Sequence, residues 1–503
     1  MSIWKKTPIE KALKHSIRAL LLLLALALPF AATAQPIAVQ NLAVLVDADG
    51  SETIASVSAP GAAQRFTPLD GLFSAGYTRK VHWLRFSVQA PAAGPWWLEV
   101  MPPFLDDLRL FTPAGAGFTE RRSGDRLPFA SREEAYRGFI FKLALADSAP
   151  HTFYLRLQTT SASLVILQLW QPERFQGAKD FDYVVMGFLL GVFMLVLLLN
   201  LLLWWGTREP LYGWVSLLVG ANLLLYFAFT GLAAQYLLPK MPLLADAAVK
   251  ASVLIFLGAT APFYRRMLRV ERDQKFHFYF FRAMVALPCV LMISLFTGHY
   301  PPEATRIAVS FSGLSALLIL YLSSRLLRDG RREARYLLLA AVLVLLTRIF
   351  GVLFSLDLLP GALGVNVVHL QRWLPLAVTL IMQVALAVRL HESNEAKRQE
   401  AQRALLVERD RLRKEVLEHE ARWTGAVDAI GEGIWEWDMA SDEMLRSRMF
   451  DSALGYAEQD LPLTAEAWVE LIHPDDLASN AACLQNYLTG KSATYAIEMR
   501  LRT

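Results

Sequence analysis

Hydrophobic and polar positions alternate in short runs between residues 40 and 172. Examples are Phe139 to Leu145, Phe153 to Leu157, and the run in which Leu84, Phe86 and Val88 share one face. Runs of this period, separated by proline and glycine turns, are typical of strands with one buried face. We therefore predict an all-β sandwich over residues 35–180.

From residue 183 the pattern changes to seven long apolar segments, at approximately 183–205, 211–232, 247–264, 279–297, 304–325, 336–358 and 367–390. Each is close to the ~20 residues needed to cross a bilayer. Loops on one side contain eleven Lys or Arg, whereas loops on the other side contain only Lys240. By the positive-inside rule, this asymmetry predicts a seven-helix membrane domain over residues 181–390, with a cytoplasmic C-terminus.

The first 34 residues resemble a secretory signal. A basic start precedes an apolar stretch from Ala19 to Leu28, and Ala32-Thr33-Ala34 forms a cleavage pattern of small residues. An uncleaved anchor is the alternative interpretation. Under both interpretations the β-domain is exported. In a bacterium its location would be the periplasm, and the protein would belong to the inner membrane.

Residues 391–423 are charged and contain neither proline nor glycine, which predicts a helix. Apolar residues form a seam with spacings of four and three, which Arg409 and His419 interrupt. The residues of the seam are Leu405, Leu412, Val416 and Trp423. The seam favours a two-stranded coiled coil, and therefore a homodimer, over a solvated single helix.

Residues 424–503 predict a small acidic α+β domain. Gly433 to Asp438 alternates as a strand, and His473-Pro474 opens a helix that Gly490 ends. Thr494 to Leu501 alternates again and predicts a further strand.

Composition supports this division. The 503 residues are 54% hydrophobic but only 19% charged, below the ~25% of an average soluble chain. The membrane segment has a net charge of +9 and the last segment −9, whereas the total of +4 gives no reason to expect a nucleic-acid partner. Cys289 and Cys483 lie in different segments, which excludes a disulfide framework.

Several of these stretches resemble the bacterial seven-transmembrane receptors with diverse intracellular signalling modules. The matching runs are Val81 to Phe86, Leu98-Glu99-Val100, Leu105 to Leu108 and Phe153 to Leu157 in the β-domain, with Gly187 to Gly191, Leu199-Asn200, Gly231 to Pro239 and Ala387 to Leu390 in the spans. The resemblance implies a jelly-roll-like type 2 extracellular domain, related to carbohydrate-binding modules, ahead of the seven helices.

The last segment resembles a PAS domain, through Gly433 to Asp438, Leu454-Gly455-Tyr456 and Ile472 to Asp476. The PAS pattern continues into two further strands beyond this chain, so we expect a C-terminally incomplete PAS domain. In the family, such receptors end in an output enzyme. The resemblance implies a diguanylate cyclase first and a histidine kinase second; a non-enzymatic adaptor is the alternative.

The chain itself contains no catalytic pattern. No phosphate-binding glycine loop, H-E-x-x-H or C-x-x-C motif is present, and the nine histidines are scattered. We therefore predict no catalytic residue, no metal and no cofactor within residues 1–503.

Candidate ligand contacts in the exported domain are aromatic rings able to stack on sugars and polar groups able to bind hydroxyls or an acid. They are Trp83, Trp97, Asp106, Arg109 and Arg132. Packing in the core is the competing role for the tryptophans.

Polar residues inside membrane spans are costly and mark functional candidates. They are Asn200, Asn222, Arg348, Asp357 and Arg372. We expect the asparagines to hydrogen-bond between helices and Asp357 to pair with Arg372 as a latch. In the PAS-like segment, Trp435 and Trp437 share a strand face and line a pocket or fill the core.

Overall fold

The computed structural model describes residues 36–69, 71–115, 117–296, 302–355, 361–457 and 464–502. The predicted signal peptide lies outside these residues. The chain forms two compact units, divided between Glu392 and Ser393.

The exported domain is a sandwich of two antiparallel sheets, as the alternation predicts. Its strands are β1 (Ile37–Ala38), β2 (Gln40–Asp47), β3 (Thr67–Pro68), β4 (Phe73–Tyr77), β5 (Val81–Val88), β6 (Gly94–Met101), β7 (Asp107–Ala114), β8 (Gly117–Ser123), β9 (Phe139–Leu145), β10 (His151–Gln158) and β11 (Ala162–Trp170). One sheet has the order β3-β2-β5-β10-β7-β8. The other has the order β1-β11-β6-β9, with β4 also paired to β11.

The main core lies between the two sheets. Leu84 and Phe86 of β5 are fully buried there, as are Leu98 and Val100 of β6. Successive side chains of a strand point to opposite faces, so alternate residues of each strand must find a cover outside this core.

The two outer faces find different covers. A short helix, α1 (Ile54–Val57), lies in the sandwich itself and begins with a capping box between Thr53 and Ser56. Its Val57 packs with Trp83 and other residues of the six-stranded sheet. The five-stranded sheet is covered instead by the first membrane helix, described below.

Seven helices occupy the positions of the seven apolar segments. They are α2 (Pro172–Thr207), α3 (Pro210–Phe229), α4 (Pro242–Met267), α5 (Lys275–Phe296), α6 (Pro302–Arg328), α7 (Ala334–Ser355) and α8 (Gly361–Ile430). Within the described residues, all except α7 contain a stretch long and apolar enough to cross a membrane. The predicted fold class, a β-sandwich followed by a helical membrane bundle, a helical linker and a PAS domain, is therefore confirmed.

Helix α8 contains both the last apolar segment and the charged segment. In a single chain the predicted seam is uncovered, because Leu405 and Trp423 are each 70% exposed.

The second unit also contains a two-stranded sheet, β12 (Trp435–Asp438) and β13 (Glu443–Arg446), and three helices, α9 (Arg448–Ala453), α10 (Ala465–Val469) and α11 (Pro474–Leu488). The predicted strand over 494–501 does not form. Its backbone bonds instead to the start of α11: the Arg500 amide donates to Asp476, and the His473 amide donates to the Arg500 carbonyl. Only Leu501 makes an isolated bridge, to Ile472.

Candidate functional site at the junction of the exported domain and the membrane helices

The exported domain leads into the membrane without a linker. Strand β11 ends at Trp170, and α2 begins two residues later at Pro172 with Gln171 as its N-cap. Proline suits this first helical position because it lacks the amide hydrogen that would have no partner there. The last strand of the sandwich and the first membrane helix are therefore joined by a single residue.

An apolar cluster seals this connection. Phe175 of α2 is buried against the outer face of the five-stranded sheet. Its ring centroid lies 5.2 Å from that of Trp97, 5.1 Å from that of Tyr136 and 6.0 Å from that of Trp170. Aromatic side chains bury large areas and dominate the energetics of such contacts. The first turn of the membrane helix therefore covers the outer face of this sheet and forms a second apolar cluster with it.

A buried carboxylate lies beneath the same cluster. Glu99 of β6 accepts a hydrogen bond of 2.8 Å from the indole of Trp170. Burial raises the pKa of Glu99 above its usual range, against the opposing effect of Arg137. This side chain favours its protonated form more than an exposed glutamate does.

A charged triad joins the exported domain to the first and last membrane helices. Asp182 of α2 lies 2.8 Å from Arg137 Nε and 2.5 Å from Arg372 Nη1 of α8. Arg137 precedes β9 and is only 5% exposed; it also donates to the Thr230 carbonyl at the end of α3, at 3.4 Å. Removing one member of a buried ion pair leaves an uncompensated charge, which costs several kcal/mol.

Further contacts fix the domain on α3 and the residues after it. Tyr183 Oη donates to Gln235 at 2.7 Å and accepts from the Arg137 amide at 3.3 Å. Gly231, at φ +87°, lies so close that an added Cβ would be 2.8 Å from Pro103 Cβ. Glycine meets both demands, the positive φ and the close approach.

The five predicted ligand contacts do not converge on one site. Trp83 is 1% exposed and stacks on Phe111, at 5.3 Å between ring centroids, under the six-stranded sheet. Trp97 lies on the outer face of the other sheet, between Phe175 and the amine of Lys142. The two tryptophans therefore face away from each other on opposite sides of the sandwich.

The polar candidates are also engaged. Arg132 donates to the carbonyls of residues 136, 137 and 138, and burial lowers its pKa to about 10. Arg109 pairs with Asp107 and Glu120 at the surface. Asp106 is buried and lies within 4.8 Å of two further buried carboxylates, Asp125 and Asp246.

Two intramembrane candidates hydrogen-bond between helices. Asn200 of α2 donates to Gln383 at 3.2 Å, and Asn222 of α3 donates to Thr379 at 3.4 Å; both acceptors lie on α8. The first and second membrane helices are therefore both bonded to the last one.

The three charged candidates have different outcomes. Arg348 of α7 has no hydrogen-bond partner for its Nε within the described residues. Arg372 pairs with Asp182, so its partner is on the first helix. Asp357, its predicted partner, lies outside the described residues.

In the second unit, Trp435 lies at an open groove with Tyr495, 6.1 Å between ring centroids. Trp437 donates from its indole to Asp442 at 3.0 Å. The two rings share the strand face that the alternation predicts.

Sequence reasoning missed Arg137 and Asp182. Asp182 stands one residue before the first apolar segment, and an acidic residue at the edge of a span was an available signal. Arg137 lies in a loop with no periodic pattern, so its place at the junction follows only from the fold.

Comparison with known families agrees with this architecture. The "7TMR-DISM extracellular 2" model matches residues 39–171, "7TM diverse intracellular signalling" matches 182–389, and "PAS fold" matches 444–503. No curated protein matches the chain. A solved GH31 alpha-xylosidase from Xanthomonas citri aligns over 28% of this chain and 16% of its own, at 10% identity and a TM-score of 0.16.

A sandwich completed by a membrane helix, a helical bundle and a PAS domain define a transmembrane sensory receptor with an extracellular N-terminal domain. The chain belongs to the seven-transmembrane receptors with diverse intracellular signalling modules, whose two models together cover more than half of it.

Proposed function

We propose that this receptor detects an extracytoplasmic ligand and transmits the signal through the Arg137–Asp182–Arg372 triad to helix α8 and the PAS domain. The triad is the observation that carries the proposal. One carboxylate on the first membrane helix holds an arginine from the exported domain and an arginine from the last helix. A movement of the loop before β9 changes the electrostatic balance at α8 directly.

Helix α8 suits the role of output element. It extends from Gly361 to Ile430, so it contains both Arg372 and the apolar seam that includes Leu412. A shift of a helix is one of the movements by which proteins pass on a signal. The exposure of the seam in a single chain supports a homodimer, in which the seams of two copies pack together.

The membrane is the bacterial inner membrane in this proposal, with the sandwich in the periplasm and the C-terminus in the cytoplasm. Basic residues support this orientation, because arginines cluster in the loops that follow α4 and α6.

The ligand class rests on the family resemblance, which favours a carbohydrate or a related small molecule. The rings of Trp83 and Trp97 are packed against protein, so they offer no free stacking platform. Arg109, whose side chain is 33% exposed, keeps part of its surface accessible to a ligand.

The output is proposed on the same ground. A diguanylate cyclase attached after the PAS domain is the first choice, and a histidine kinase is the second. An adaptor that acts through dimerisation alone is the competing class of function.

The test uses the receptor in its membrane, with Cys289→Ser and Cys483→Ser as the background and Leu412→Cys as a reporter. The rate of disulfide cross-linking between copies measures the spacing of the seam. We expect Asp182→Asn to change this rate about five-fold, because a coupled site shifts an equilibrium by 1 kcal/mol or more. Asp180→Asn is the matched control, since Asp180 is exposed two residues away on the same helix.

Equal cross-linking rates in Asp182→Asn, Asp180→Asn and the parent would contradict transmission through the triad. Absence of any cross-link at Leu412, or at its neighbours along the seam, would instead contradict the homodimer.

A further inference from the structure

Three carboxylates from distant parts of the chain meet where the exported domain touches the third membrane helix. Asp106 precedes β7 and Asp125 follows β8, so the antiparallel pairing of these strands brings the two residues together. Asp246 lies in the first turns of α4. All three are buried, and their oxygen atoms lie within 4.8 Å of one another.

The backbone is shaped for this approach. Gly124, immediately before Asp125, has φ +153°, and a Cβ added there would lie 2.2 Å from the Asp106 carbonyl oxygen. The Asp125 amide donates to the Leu105 carbonyl at 2.8 Å, which holds the turn against the residues that precede β7. Asp125 therefore lies next to Asp106, although both side chains are acidic.

Asp106 and Asp246 have partners. Asp106 accepts from Thr159 Oγ1 at 2.8 Å and from the Thr160 amide at 3.1 Å, and it lies 2.8 Å from Arg126. Asp246 lies 2.6 Å from the amine of Lys250. These contacts hold the two carboxylates in place.

Asp125 differs from both. It is 6% exposed, and its Oδ1 has no hydrogen-bond partner within the described residues. A buried carboxylate oxygen without a partner is unfavourable. Arg126, Lys250 and the buried Arg132 are the basic groups whose charges act on Asp125, and none of them bonds to its Oδ1, so this oxygen is free to bind a cation.

We infer that Asp106, Asp125 and Asp246 bind a hard divalent cation, Ca²⁺ in the first instance, and so clamp the exported domain to helix α4. Carboxylate oxygens are the ligands that Ca²⁺ prefers, and the Thr160 hydroxyl, which donates to Asp106 at 2.8 Å, lies beside them. The three basic neighbours limit the affinity, so we expect a Kd on the order of 0.1–1 mM, as in extracellular modules. This inference is independent of the proposed signalling route.

The experiment uses the full chain in lipid nanodiscs at neutral pH, stripped with EDTA and titrated with Ca²⁺ or Mg²⁺. Equilibrium dialysis with radioactive calcium counts bound ions, and thermal unfolding reports the effect on stability. We expect the parent to bind one calcium more than Asp125→Asn, and its Tm to rise by about 3 °C at saturating calcium. The calcium-free Asp125→Asn variant should be at least as stable as the parent, because the isosteric amide relieves like-charge repulsion.

Asp49→Asn, an exposed site in the same domain, should retain both calcium effects. Asp246→Asn supplies a second test and should also lose the extra ion. Equal calcium binding by the parent and both buried-site variants would overturn the inference. Stabilisation of the parent by acid alone, with none by calcium, would overturn it too, because the cluster would then take a proton instead.

Discussion

The two outer faces of the exported sandwich present the same kind of surface but are covered differently. Trp83 of the six-stranded sheet packs under α1, a helix of the same domain. Trp97 of the five-stranded sheet packs under Phe175, which belongs to the first membrane helix. One face is completed locally, whereas the other is completed by the membrane domain.

This difference teaches that the exported domain is not a separate body on a tether. Because α2 covers one outer face of the sandwich, the sandwich cannot shift on that side without moving the helix or losing buried area. Packing and the Arg137–Asp182–Arg372 triad hold the two regions together, which is the contact that the proposed signalling route uses.

The largest expected effects come from truncating an aromatic ring on each face. Trp83→Ala and Phe175→Ala should each cost about 3–5 kcal/mol. Hydrogen exchange in the full chain should separate them. Trp83→Ala should raise exchange in β5 and β10, while Phe175→Ala should raise it in β6 and β9. The same exchange pattern in both variants would remove the distinction between the faces.

The next effect tests the charged side of the covered face. Asp182→Asn should destabilise the junction by about 3 kcal/mol, because Arg137 would remain buried with its charge uncompensated. Proteolysis of the junction loops should accelerate, whereas the exposed Asp180→Asn control should behave like the parent. Unchanged proteolysis in both variants would mean that the triad does not hold the domain in place.

A fall in pH should lower the stability of the sandwich core and raise the stability of the junction with the membrane helix. Burial, then the charge of Lys80, lowers the pKa of His82 to about 4, from about 6.5 in the unfolded chain. As pH falls from 6.5 to 4, the unfolded chain takes up a proton that the folded core refuses, so stability should fall by about 2 kcal/mol. His82→Phe should abolish this loss in a denaturant titration.

Glu99, under the first membrane helix, has a raised pKa, so protonation favours the folded state as pH falls towards the ordinary glutamate value. Glu99→Gln should remove that stabilisation. If both variants followed the pH profile of the parent, the claim that His82 and Glu99 give the core and the junction opposite pH dependences would be contradicted.

A smaller effect is expected inside the bundle. Asn200→Leu should cost about 0.6–1.7 kcal/mol, since hydrogen bonds between membrane helices are weak against a membrane-embedded reference state. A double-mutant cycle with Gln383→Leu should show non-additivity in detergent unfolding. Strict additivity would indicate that the 3.2 Å contact contributes nothing.

The smallest effect is expected in the second unit. Hydrogen bonding by the Arg500 side chain lowers the pKa of Asp476 to about 2. Its stabilisation should be present above about pH 4 and be lost as pH falls towards 2. In urea titrations, Asp476→Asn should remove the change in stability between about pH 4 and pH 2. An unchanged acid profile would show that this exposed pair has no effect on stability.

Much of the fold could be predicted from period alone. Leu84, Phe86 and Val88 were assigned to one face, and they are buried together in the core. A buried strand face and a membrane span each require a regular pattern of apolar residues, so the sequence predicts both the sandwich and the membrane helices.

The candidate site could not be predicted in the same way, because the residues that cover or pair with its side chains are distant in sequence. An outward Trp97 has the same pattern whether a sugar or Phe175 lies over it. Arg372 pairs with Asp182, 190 residues away, whereas Asp357, its expected partner, lies outside the described residues. No local signal distinguishes such partners, because the topology of the bundle selects them.

The most direct test of the account compares hydrogen exchange in the exported domain with and without its membrane helix. In a chain ending at residue 171, amides of β6 and β9 should exchange markedly faster than in the full receptor. Amides of β5 and β10 should keep their protection, because α1 still covers their sheet. Equal protection of all four strands in the two chains would contradict the claim that the first membrane helix completes the sandwich.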